Sequence, residues 1–106
     1  MNPIKIKYPR EVTTEYDTKD IFPGKYYYWE DGTSYDGCYV ENNYYMYITE
    51  NGLCISINVN RPCYGNPEFE ITSGDPSHYS WILMKAWEAD SHLYDEVVKE
   101  ITELLP

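Results

Sequence analysis

The stretch Tyr44–Val59, YYMYITENGLCISINV, decides the fold of this chain. Two β-prone runs flank Asn51-Gly52. Asn-Gly in that setting is the strongest short-range hairpin signal, because a type I′ turn needs positive φ at both central residues. A two-residue turn there predicts that Thr49 faces Cys54, Ile48 faces Ile55 and Tyr47 faces Ser56, ending with Tyr44 opposite Val59. On this register Tyr44, Met46, Ile48, Leu53, Ile55, Ile57 and Val59 share one ribbon face. Tyr45, Tyr47, Thr49, Cys54, Ser56 and Asn58 share the other. A slip of one residue redistributes both sets, so the register matters for everything that follows.

Working outward, Lys25–Glu30 (KYYYWE) is aromatic enough for a strand. Asp31-Gly32 and Asp36-Gly37 both offer a tight turn into a strand at about Cys38–Glu41, with Asn42-Asn43 turning into the central hairpin. Asn60–Pro67 reads as a loop, and a last short strand places Phe69 and Ile71 opposite Glu68 and Glu70. Nearer the N-terminus, Ile4–Tyr8 alternates apolar and polar side chains and predicts a short strand ended by Pro9. Thr13–Gly24 is polar, and residues 1–24 read as a loosely packed arm.

Ser73-Gly74-Asp75-Pro76 marks a helix start, with Asp75 as N-cap and Pro76 at the first helical position. Tyr79, Ile82, Leu83, Ala86 and Trp87 then follow a core-facing helical stripe. Asp90 and Ser91 are capping residues and predict a bend or restart, after which Leu93, Val97, Ile101 and Leu104 continue an apolar stripe. The sum is one α+β domain over residues 1–106. It is an antiparallel β-meander of four to five strands, with one face covered by one or two C-terminal helices and the other free.

Composition narrows the function. Eighteen acidic residues against eight basic ones give a net charge of −10. From Tyr26 to Met84, Arg61 stands alone against eight carboxylates. Such a field opposes direct binding of nucleic acid or an anionic membrane and suits a basic partner. No apolar run approaches the ~18 residues of a membrane span, and no charged-then-apolar signal segment is seen. Three cysteines (Cys38, Cys54, Cys63) without CxxC spacing read as free thiols in a reducing, cytoplasmic setting.

Signals for chemistry are weak. His78 and His92 form no HxxxH or HExxH pair, and a Cys63–His78 nucleophile pair has no motif behind it. No phosphate-binding glycine pattern or calcium loop occurs; the Asp31–Gly37 run lacks the alternating oxygen ligands of the latter. The expectation is no enzyme, no cofactor and no metal, with no catalytic residues.

The thirteen tyrosines point instead to binding, since Tyr offers a large contact area at low entropic cost. Tyr45 and Tyr47 are expected on the free sheet face, joined by some of Tyr26, Tyr27, Tyr28, Trp29, Tyr35 and Tyr39. With Glu30, Asp31, Asp36, Glu41 and Glu50 they form the first candidate partner surface. The C-terminal helix acids Glu96, Glu100 and Glu103 form the second. In size, charge and composition the chain is similar to the small acidic inhibitors that phages make against restriction or CRISPR nucleases, and to immunity proteins against nuclease toxins. That likeness implies a protein-binding inhibitor of a basic nuclease or other nucleic-acid-handling enzyme, in a bacterial or phage-infected cell. The alternative is a self-associating domain, a homodimer formed through the tyrosine-rich face. A third reading is a small enzyme or ligand-binding domain with a pocket lined by Trp81, Trp87 or Met84.

Overall fold

The pairing of the central hairpin sets the architecture, and it differs from the expected one by one residue. In the computed structural model, which describes residues 2–10 and 14–105 with the side chain of Tyr35 excepted, Ile48 lies opposite Cys54, Tyr47 opposite Ile55 and Tyr45 opposite Ile57. The turn is a three-residue loop. Thr49 N–H donates to Leu53 O at 2.8 Å, Gly52 N–H donates to Thr49 O at 2.9 Å, and only Gly52 has positive φ, at 84°. That is the arrangement of a type I turn closed by a left-handed glycine bulge, which Asn-Gly serves as well as a type I′ turn. The type I′ geometry occurs at Asp36-Gly37, whose φ angles are 49° and 74°.

The described residues form seven strands: β1 Ile4–Pro9, β2 Tyr16–Ile21, β3 Tyr26–Tyr35, β4 Cys38–Ile48, β5 Cys54–Arg61, β6 Glu68–Gly74 and β7 Trp87–Ala89. Strands β6-β5-β4-β3-β7 form one antiparallel sheet, and β1-β2 a separate hairpin. Asn42 and Asn43 lie inside β4 instead of turning. The fold is α+β, with a five-stranded antiparallel sheet, a two-stranded sheet and a C-terminal helix.

Asp75 caps as expected, accepting from Ser77 N–H, but the helix it opens is short: a 3-10 turn over Pro76–Tyr79 and one α-turn, α1, Ser80–Leu83. Chain that the helical stripe assigned to this helix instead forms β7, with Trp87 opposite Tyr28 on β3 and about half exposed. Asp90 then accepts from His92 N–H and caps α2, Ser91–Leu104.

Both faces of the sheet are covered, which corrects the free-face expectation. On the hairpin face, Tyr27, Met46, Ile48 and Cys54 pack with Ile82, Leu83 and Ala86 and with Ile6 and Ile21 of the β1-β2 hairpin. The Lys19 ammonium donates to Leu83 O at 2.9 Å and also to Ala86 O, tying that hairpin to the end of α1. Of the segment read as an arm, the described part is thus a hairpin anchored by two buried isoleucines. Residues 1 and 11–13, and the Tyr35 ring expected on the aromatic face, lie outside the described residues. On the helix face, Tyr28, Tyr45, Ile57 and Val59 pack under Leu93, Val97 and Ile101 of α2. No helix is long and apolar enough to cross a membrane among the described residues.

The cysteines also depart from expectation. Cys38 and Cys63 form a disulfide with Cα atoms 5.5 Å apart, and Cys54 alone is free and buried. The cause is register: β4 and β5 pair as far as Glu41 opposite Arg61, and Cys38, three residues before Glu41, and Cys63, two after Arg61, are near neighbours just past the end of that ladder. The odd cysteine count therefore carries no argument for a reducing compartment.

Candidate functional site: an acidic ribbon end

Strands β3 and β4 outrun their neighbours. β7 leaves β3 at Tyr28, and β5 leaves β4 at Glu41, so the ribbon from Asp31 to Val40 is held by β3–β4 pairing alone. The Asp36-Gly37 turn closes it, because only residues that tolerate positive φ at both positions match the twist of the strands. The Cys38–Cys63 disulfide fastens its tip to the Pro62–Pro67 loop. Tyr39 lies across Gly32, where a Cβ would stand 2.1 Å from the Tyr39 hydroxyl, so the ring covers the gap in the strand. Tyr39 is more than half exposed, and Tyr64 in the tethered loop is 88 % exposed.

The structure brings together part of the expected surface. Glu30, Asp31, Asp36 and Glu41 all belong to this ribbon end, Glu30 and Glu41 on the helix face and Asp31 on the other. Glu100 joins them from α2 through Arg61, whose guanidinium grips both Glu100 carboxylate oxygens at 3.0 and 3.2 Å. Arg61 also donates to Asn43 Oδ1 at 2.8 Å. The Asn43 amide in turn donates to Tyr28 Oη and to Glu41 Oε1, and Tyr28 donates to Glu30 at 2.6 Å. Burial first, and then its bond to Glu30, raises the Tyr28 phenol well above its ordinary range. The bond to Glu100 raises Arg61, so the cation stays charged. The one basic residue between Tyr26 and Met84 is thus spent internally, and the ribbon end is left to its carboxylates.

Other candidates fall elsewhere. Tyr45 is 9 % exposed beneath α2, and Tyr47 is half-buried against Tyr26 and Tyr94. Neither ring faces solvent as expected, because α2 occupies that face. Glu50 sits in the Thr49–Leu53 turn at the opposite end of β4, roughly 35 Å away at about 3.4 Å per residue. Glu96 pairs with His92 at 2.9 Å on the exposed side of α2, and Glu103 is exposed near the helix end. Trp81, set off the helical stripe in the sequence, is 43 % exposed and meets Tyr44 edge-on. Of the two exposed rings at the ribbon end, Tyr39 was among those expected on the aromatic face, whereas Tyr64 was passed over; its only available signal was its nearness to turn residues.

No group of three or more potential metal ligands occurs among the described residues. Comparison of the chain with protein-family models, curated proteins and solved structures gives no significant match.

Proposed function

We propose that this protein is a small acidic binding module of the inhibitor type. Its ribbon end docks onto the positively charged surface of a nucleic-acid-handling enzyme, a nuclease being the leading class, and occludes it. One observation carries the reading: a projecting ribbon closed by the Asp36-Gly37 turn bears Glu30, Asp31, Asp36 and Glu41 beside two exposed tyrosines, while Arg61 is neutralised from within. Complementary charge speeds encounter, and aromatic anchors at the centre of a contact slow its release. The partner supplies the cations, and neither catalysis nor a cofactor is needed. The rival reading, self-association through the tyrosine-rich face, is less favoured by the burial of Tyr45 beneath α2 and the packing of Tyr47 against Tyr94.

The setting that goes with this reading is the cytoplasm of a bacterial or phage-infected cell. Thiol trapping in freshly lysed cells tests it: a reduced Cys38–Cys63 pair supports that setting, and a fully oxidised one points to an oxidising compartment.

The test of function is affinity capture from the native host or its infecting neighbour, washed at rising salt, with wild type beside the Asp31→Lys/Asp36→Asn variant, in which asparagine removes the charge and still accepts the positive φ of the turn. A basic nuclease held by wild type, released by salt or by competing single-stranded DNA and lost by the variant at unchanged Tm, is the expected result. Equal capture by both proteins would remove the acidic-ribbon argument.

A further inference from the structure

The hairpin face carries a second, smaller feature beside the sheet edge. Beyond the cover of α1, a pocket of about 130 Å³ opens between Tyr44 and Trp81 on one side and Asn58, Glu70 and Thr72 on the other, with His78 at its border. A second hollow of about 130 Å³ adjoins it, shares Asn58 and Glu70, and adds Asn60 and Glu68. Together they make a groove along β5 and β6. Each hollow, at about 130 Å³, is well below the ~300 Å³ at which drug-sized ligands begin, so each suits a side chain and not a free cofactor.

The chemistry of the walls is one-sided. Among the described residues the Glu68 and Glu70 carboxylates meet no ion-pair or hydrogen-bond partner, and no lysine or arginine lines the groove. Asn58 Oδ1 is shut from solvent without any donor. A buried acceptor in that state is costly, and Asn58 lines both hollows. The floor thus needs a donor of hydrogen bonds and its rim needs positive charge. Trp81, 43 % exposed and held edge-on by Tyr44 at 5.6 Å between ring centres, adds an aromatic surface. Such a surface holds a flat cation better than a tetrahedral one.

We infer that this groove is the receptor for an arginine side chain of the basic partner. The inference rests on the proposed function and identifies the residue type it engages at this second point of contact. The guanidinium lies against Trp81, donates to Asn58 Oδ1 and pairs with the Glu70 carboxylate. An added strand is the natural carrier. β6 is a seven-residue edge with exposed Glu68, Glu70 and Thr72, whereas the opposite edge, β7, has three residues. A second copy of β6 would set glutamates against glutamates, so the occupant is a basic extended segment.

The experiment titrates Nα-acetyl-arginine methylamide into the full protein. The lysine and citrulline analogues and a neutral glucan oligosaccharide serve as controls, and the readouts are the Trp81 indole and Asn58 amide NMR signals. The arginine probe should shift both and bind better than lysine, with citrulline and the glucan silent. Glu70→Gln should weaken it roughly tenfold, the scale of one charge-assisted hydrogen bond. Trp81→Ala should weaken it at unchanged Tm. Equal binding of citrulline, tighter binding of the glucan, or shifts confined to other residues would overturn the assignment. Glu70→Gln and Trp81→Ala are also run in the capture assay. If the probe fails while capture still depends on Asp31 and Asp36, the groove assignment falls and the inhibitor reading stands. If the probe binds and no basic partner is captured, the reverse holds.

Discussion

The two faces of the sheet are built from the same strands but closed by different chemistry. The hairpin face is sealed by aliphatic packing, with Met46, Ile48, Cys54, Leu83 and Ile21 all at 0 % exposure. The helix face is sealed by rings and hydroxyls: Tyr28, Tyr45 and Tyr94 pack around Val97, its only fully covered α2 residue, and an Arg61–Asn43–Tyr28–Glu30 chain closes one end. The aliphatic layer has fewer groups that titrate, the Cys54 thiol and the Tyr27 and Tyr44 phenols among them. A phenolic layer holds only while its protons stay in place.

Alkali should therefore produce the largest effect. In the folded chain burial raises the pKa of Tyr26, Tyr28, Tyr45 and Tyr94 on the helix face, and of Tyr27 and Tyr44 on the other. It also pushes the Cys54 thiol up to about 12. Once the pH passes 9.0 for the thiol and 10.0 for the phenols, their ordinary values, the unfolded chain releases protons that the folded one keeps. The unfolded state then binds fewer protons, so stability is intact below that window and falls as pH rises through it. Thermal melts from neutral to strongly alkaline pH should show Tm collapsing above about pH 10, with amide exchange in α2 accelerating before that in β4 and β5. Simultaneous loss of both would mean that the two faces are one cooperative unit.

Next comes Met46→Ala, which opens a cavity in the dry layer. Denaturant unfolding should show a loss of about 2–5 kcal/mol. Val97→Ala on α2 removes two methyl groups from a face with wetter surroundings and should cost about 2 kcal/mol. If Val97→Ala proves the costlier, the helix face is the tighter of the two. The smallest expected loss follows Asp90→Ala, about 1 kcal/mol for an N-cap, read as fraying of α2 by exchange with no change on the hairpin face.

The same contrast explains what could be read from the chain alone. Caps are local, and Asp75 and Asp90 were legible because an acid before Pro76 or Ser91 has one obvious partner, the N–H two residues on. The hairpin's location was legible too. Its register was not, because Tyr44–Ile48 carries apolar or aromatic side chains on both faces, so either of its faces can match Ile55, Ile57 and Val59, and both faces turn out to be covered. One slipped residue then misplaced Tyr45 and Tyr47 and hid the approach of Cys38 to Cys63. Trp87 failed for another reason. Ile82, Leu83 and Ala86 are buried with helical spacing, but the chain leaves the helix after Leu83, and Trp87 finds Tyr28 as a strand partner. Of the candidate site, the acids around the Asp36-Gly37 turn were legible from composition. The Glu30–Tyr28–Asn43–Arg61–Glu100 chain was not, since it joins residues up to 72 positions apart.

The attachment of the first hairpin has a consequence for how the chain is made. Ile6 and Ile21 are covered by Ile82 and Leu83, and Lys19 waits for the carbonyls of Leu83 and Ala86, more than sixty residues downstream. During synthesis at about 5–20 residues per second, β1 and β2 emerge seconds before their docking surface exists. This hairpin is thus made well before the residues that bury it. In that interval its exposed lysines and carboxylates, and not its fold, keep two bare isoleucines in solution.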